Sequence, residues 1–337
     1  MISEDPAPRG GFDLVGFLTR YAAPLFLVAL VVIFALLEPR FLHPLNLMNI
    51  VRQVAVPGLV AIGMTFVIIT AGIDLSVGSL VALCGLVAAY VAKGGLDDRF
   101  AVGAAADIGN PVILAMLAAV AVGMLAGALQ GLAITKLRVP PFVVTLGGLT
   151  AFRGLALLIS GGGPISGFEA GYVWWGQGRV YGVPVPVVVF VMAALFAWAV
   201  LTQTRFGRNV YAVGGNASAA ERAGINVQRT TIAVYVIVGF FCGIASFLLS
   251  ARLNSAEAVA GLQLELDVIA AVVIGGTSLF GGVGSIFGTV IGVLLIGVLR
   301  NGLVLLGVSS FVQQILIGLI LVAAVAIDQR AKRRQAD

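Results

Sequence analysis

Long apolar runs, separated by short polar or glycine-rich breaks, follow one another along nearly the whole chain. A run such as YAAPLFLVALVVIFALL (21–37) is about long enough, as a helix, to cross a hydrocarbon core of roughly 30 Å. Within that core no water satisfies the backbone, and a helix closes its own hydrogen bonds segment by segment. The expected fold is therefore an all-α polytopic membrane protein. Composition agrees: 337 residues are enough for two soluble domains, but 60% apolar and 10% charged residues leave too little polar surface for them. The 44 glycines suit close helix packing in lipid and are too dispersed for collagen. A net charge of +5 raises the question of nucleic acid, but the basic residues sit between apolar runs, where they act as topology signals. Cys84 and Cys242 lie inside apolar runs without ligand spacing and read as small buried hydrophobes.

Taken in order, the runs predict about ten transmembrane helices in one domain over 21–327. A retained cytoplasmic tail (1–20) precedes it and a basic tail (328–337) with Arg330, Lys332, Arg333 and Arg334 follows. His43, with no second ligand nearby, reads as a loop residue. The run 57–70 and the run ending at Ala92 flank the break AGIDLSVGS (71–79), and each is expected to borrow length from it. Gly123 and Gly127 form a small-xxx-small helix face. Arg153, within the span 142–159, is open to snorkelling, pairing inside the bundle, or contact with a partner. The segment 160–183 interleaves Tyr172, Trp174, Trp175 and Tyr181, which fits a headgroup belt.

The two glycine-interrupted helix pairs lie in corresponding halves of the chain, a pattern that points to inverted repeats around a central pathway. In the first break, Asp74 with Ser76 is read as a cap for the following helix. The alternative is an intramembrane acid that must be paired. GGTSLFGGVG (275–284), which carries Thr277 and Ser278, lacks the closing Gly-Lys-Ser/Thr of a phosphate loop. Asn301 and Gln314, with its neighbour Gln313, are neutral amides near the last spans. They suit a route for a hydroxyl-rich solute or, equally, helix-to-helix hydrogen bonds. Asp74, Ser76, Thr277, Ser278, Asn301 and Gln314 form the candidate translocation path.

One stretch is not apolar. The insert 205–230 sets four arginines (Arg205, Arg208, Arg222, Arg229) against the single acid Glu221. Ser218 and Glu221 have capping-box spacing, Asn216 is a second cap, and Gly224 supplies the stop. The expected helix of one or two turns is too short to be stable alone in water. It fits either a solvated loop or a segment received by another protein. Ten spans place both termini on one face with Lys136, Arg138, the insert and the basic tail, so the positive-inside rule makes that face cytoplasmic. No metal cluster, nucleophile elbow or haem spacing is present, which speaks against an enzyme. So few ionisable groups in the spans also speak against a proton-coupled transporter, leaving passive machinery driven by a partner that hydrolyses ATP.

The chain resembles the permease subunits of bacterial ABC importers of the ribose/xylose/galactose type, from about Asn46 to Ile327. The motifs that carry the likeness are AGIDLSVGS (71–79), PPFVVTLGGLTAFRGLALLISGG (140–162), GRNVYAVGGNASAAERAGINV (207–227), AAVVIGGTSLFGGVGSIFGT (270–289) and NGLVLLGVSSFVQQ (301–314). The resemblance implies ABC importer permease architecture in the bacterial inner membrane. The chain would work as a homodimer or paired permeases with two cytoplasmic ATPase subunits and a periplasmic sugar-binding protein. ATP and Mg would be bound by the ATPase and no cofactor by this chain. It further implies a coupling helix at 216–225, carried by Asn216, Ser218, Ala219, Glu221, Arg222, Gly224 and Ile225. Within the class, a branched-chain amino acid permease is the competing expectation; outside it, a stand-alone channel or secondary transporter.

Overall fold

The computed structural model describes residues 22–94 and 111–336. The expected N-terminal tail and most of the 93–110 link lie outside the described residues. The regular structure of the described residues is helical apart from four two-residue strands. The helices are α1 (Ala22–Leu37), α2 (Pro44–Ile69), α3 (Val77–Ala92), α4 (Pro111–Lys136), α5 (Pro141–Ser160), α6 (Ala170–Gln177) and α7 (Val185–Gln203). They continue with α8 (Arg205–Gly215), α9 (Ala217–Arg222), α10 (Val227–Leu253), α11 (Leu264–Ile274), α12 (Ile286–Leu305) and α13 (Ser310–Ala336). Among the described residues six helices (α2, α4, α5, α7, α10 and α12) are long and apolar enough to cross a membrane; α1 and α3 are shorter apolar helices.

Two central helices carry the packing. α10 lies against α4 through glycines on both partners: a Cβ on Gly123 would collide with the Gly239 carbonyl, one on Gly127 with the Tyr235 carbonyl, and one on Gly243 with the Val120 backbone. Such close approach replaces the hydrophobic drive that lipid cannot supply between helices. α2 is the other centre, with every residue from Leu59 to Ile69 buried. The two-residue strands Ile165–Ser166 and Ser255–Ala256 pair antiparallel and tie two loops at one end of the bundle. There, Arg153 donates through Nη1 to the carbonyls of Ala258 and Ala260, so of its three readings, pairing within the bundle is the one observed.

Several boundaries differ from expectation. α2 begins at Pro44, so it gains length from the polar segment before Pro57 rather than from the glycine break. His43 is its N-cap, its Nδ1 accepting from the Leu45 amide at 3.4 Å, rather than a plain loop residue. Tyr172 is buried and not a headgroup-belt residue: its hydroxyl and that of Ser250 lie 2.6 Å apart, and it packs edge-on to Phe247. The last helix, α13, continues through the basic residues to Ala336. α11, with 11 residues, reaches only about 16 Å, roughly half a hydrocarbon core. In the glycine break that follows it, Thr277 and Ser278 are buried in protein.

Candidate functional site

The insert forms two helices, one more than its sequence predicts. α8 starts at the cap Thr204, whose Oγ1 accepts from the Gly207 amide at 3.2 Å. Its buried face is Gly207, Val210 and Val213. α9 is capped by Asn216, whose Oδ1 accepts from the Ala219 amide at 2.9 Å; the Ser218 capping box does not form. Gly224 ends it at φ +83°, with Gly224 N–H donating to Glu221 O at 2.9 Å and Ile225 N–H to Ala220 O at 3.0 Å. This pairing needs a left-handed residue that glycine supplies without strain. Only Ala220 of α9 is buried, while Ala217, Ser218, Ala219, Glu221 and Arg222 are exposed, as is Asn216 before them. A six-residue helix with that much free face does not hold itself up. It is carried by α8.

The two glycine breaks meet each other under α8. Gly282 N–H donates to Ile69 O at 2.9 Å, joining the second break to the end of α2. A Cβ on Gly214 of α8 would collide with that same Ile69 carbonyl and lie 2.7 Å from Gly282 N. The Tyr211 hydroxyl donates to Gly284 O at 2.7 Å. Deeper in, the hydroxyls of Thr65 and Thr289 lie 2.6 Å apart across α2 and α12. One helix of the insert thus touches both halves of the chain at the point where both are irregular.

Asp74, in the first glycine break, is fully buried. Its Oδ1 accepts from the Ser76 amide at 2.8 Å and from Ser76 Oγ at 2.7 Å, and Gln130 Nε2 donates to Ser76 Oγ at 2.7 Å. Ser76, not Asp74, occupies the cap position of α3, and Asp74 receives the cap residue's own donors. Asp74 Oδ2, Gln130 Oε1 and Thr277 Oγ1 are buried without a protein partner. The backbone O of Ile73 accepts from Thr145 Oγ1 at 3.2 Å and Tyr235 Oη at 3.5 Å.

The remaining path candidates are engaged elsewhere. Asn301 exchanges amide hydrogen bonds with Asn46, both at 2.9 Å, which is the helix-to-helix reading. Gln314 is exposed on α13, and Gln313 donates to Val308 O at 2.9 Å.

A cavity of about 490 Å³ opens between α2, α10, α11 and α12, with Arg52, Arg252, Arg300, Asp267 and Gln53 among its polar lining. It lies at the end of the bundle away from the insert: along α2, Arg52 precedes Ile69 by 17 residues, about 25 Å. Below it the fully buried stretch of α2 closes the bundle. None of the sequence-derived path residues lines this cavity. A signal for it exists in hindsight. Arg52, Arg252 and Arg300 all fall at the end opposite the arginine-rich insert, where the positive-inside rule leaves cations without a topological role.

Residues 46–325 match the family described as branched-chain amino acid transport system / permease component. The chain belongs to that family. It is a permease component, and the missing catalytic motifs follow from that role. The permease is 44% identical over 317 residues to the ribose import permease protein RbsC of Bacillus subtilis, covering 94% of each chain. It is 38% identical over 329 residues to the D-allose transport system permease protein AlsC of Escherichia coli, covering 97% of each. With the xylose transport system permease protein XylH of Haemophilus influenzae it shares 36% identity over 92% of this chain and 96% of that one. No solved structure matches the permease.

Proposed function

We propose that the chain is the membrane-spanning subunit of an ATP-driven importer for a sugar or sugar-like polyol. The observation that carries this reading is the placement of α9: exposed on nearly every side, and mounted on a helix that touches both glycine breaks. A separate ATPase subunit, which binds ATP and Mg, receives Asn216, Ser218, Ala219, Glu221, Arg222, Gly224 and Ile225. Its movement reaches Ile69, Gly282 and Gly284 through Gly214 and Tyr211. Asp74, Ser76, Thr277 and Ser278 then act as the gate around which the two halves rearrange, not as solute ligands. A periplasmic binding protein delivers the solute to the arginine-lined end, a second permease copy completes the pore, and both termini are cytoplasmic.

The family description names branched-chain amino acids, whereas the relatives above are named for ribose, allose and xylose; their identity over nearly full length favours a sugar. The test is transport by the permease reconstituted with its ATPase and binding protein. Ribose-class sugars and not leucine should stimulate ATP hydrolysis and accumulate. Glu221→Lys and Gly224→Pro should abolish both signals while membrane insertion is unchanged. Normal uptake in both variants would remove α9 from the coupling path, and leucine uptake alone would replace the sugar.

A further inference from the structure

We infer that the cavity between α2, α10, α11 and α12 binds the transported solute, and that this solute is an anionic carbohydrate: a sugar acid or a sugar phosphate. The inference rests on the importer reading above and narrows its substrate class.

Charge comes first. Three guanidinium groups, Arg52, Arg252 and Arg300, line the cavity against one carboxylate, Asp267. Three cations less one anion leave two positive charges in excess. The single acid is already engaged, with Arg300 Nη2 donating to Asp267 Oδ1 at 2.6 Å. Glu265, two residues before Asp267, is set against Arg153, also bears on Asp267, and is not part of the lining.

Hydrogen bonding points the same way. Arg52 Nε and Arg300 Nε are both buried and have no protein acceptor. Buried polar groups are normally paired, and charged donors left unpaired are costly. Both orphans are donors, and both belong to side chains of the lining. What they lack is an acceptor with negative charge, which the walls do not supply. A guanidinium offers its donors as a planar fork that matches a carboxylate or a phosphate. The hydroxyls of a neutral sugar would accept hydrogen bonds but leave the excess charge uncompensated.

Size and the rest of the wall fit a carbohydrate. A volume of about 490 Å³ lies in the usual range for small-molecule sites, roughly 300–1,000 Å³. Val54, Val56, Pro57, Val268, Val293 and Ile296 supply an apolar wall against which the C–H face of a sugar ring can lie. Gln53 adds a neutral amide for hydroxyls.

The experiment is calorimetric titration of the full-length permease in nanodiscs with D-galacturonate, D-ribose 5-phosphate, D-ribose, inorganic phosphate and L-leucine. At least one of the two anionic sugars is expected to bind about tenfold more tightly than ribose and than inorganic phosphate. Which of them wins distinguishes a carboxylate from a phosphate. Arg52→Gln, which keeps a neutral polar side chain and leaves the Arg300–Asp267 pair intact, should remove that preference. Arg252→Gln, checked for monodispersity alongside it, should act in the same direction. Ribose binding as tightly as both anionic sugars overturns the charge assignment and leaves the sugar importer standing. Inorganic phosphate binding as tightly as the anionic sugars overturns the carbohydrate part. Leucine binding alone overturns the sugar as the importer's substrate. No binding by any probe overturns the cavity as a solute site and leaves its arginines to acidic side chains of a docked protein.

Discussion

Tyr211 Oη donates to the Gly284 carbonyl at 2.7 Å, so the first helix of the polar insert is fastened to the second glycine break. Replacing Tyr211 by Phe keeps the ring and removes only this donor. The expected cost in stability is small, about 0.5–1.5 kcal/mol. Transport should fall more than stability does, with ATP hydrolysis by the partner persisting as uptake drops. Parallel measurement of melting temperature, ATPase rate and uptake in the reconstituted transporter checks this. Uptake unchanged by Tyr211→Phe would make the hydrogen bond a packing detail.

Gly214 allows α8 to lie directly on the Ile69 carbonyl and Gly282 amide. A side chain there must push backbone, not a flexible side chain, so Gly214→Val should destabilise the junction by about 1–3 kcal/mol, as overpacking does. Gly215, one residue on and exposed with open space beside it, is the control, and Gly215→Ala should be close to neutral. Thermal unfolding of the two variants in detergent gives the comparison.

Asp74 can be tested by separating shape from charge. Asparagine keeps an Oδ1 that accepts from the Ser76 amide and hydroxyl and places a donor where Oδ2 now lacks a partner. Leucine leaves both Ser76 donors unpaired, at about 1–3 kcal/mol for a buried unsatisfied group. Asp74→Asn should therefore retain most stability and uptake, and Asp74→Leu should lose both. Complete loss of uptake in both variants, with each still folded, would mean that the negative charge itself is needed.

Asn46 and Asn301 satisfy one another across 255 residues of sequence. Either single change to Ala strands an amide, while the double change removes the pair. Interhelical bonds of this kind are worth about 1 kcal/mol in membrane proteins. The double variant should thus be less destabilised than the sum of the singles, with a coupling of that order in a thermodynamic cycle. Strict additivity would show that each side chain finds other partners.

The apolar runs alone determined that this chain is helical and membrane-embedded, because lipid leaves an isolated segment no other way to satisfy its backbone. Local chemistry also marked where the regular structure would fail. Gly224 ends α9, and the two glycine-rich breaks interrupt their helix pairs, since φ, capping and breakage are set by residues close in sequence. Tertiary structure decided the rest. Asn301 is paired with Asn46 and not turned to a pathway, because the partner that satisfies an amide is chosen by packing. The convergence of Gly214, Ile69 and Gly282 was equally invisible, as was the gathering of Arg52, Arg252 and Arg300 around one cavity. Each of those groups comes from separate parts of the chain, and only close packing of the helices makes them neighbours.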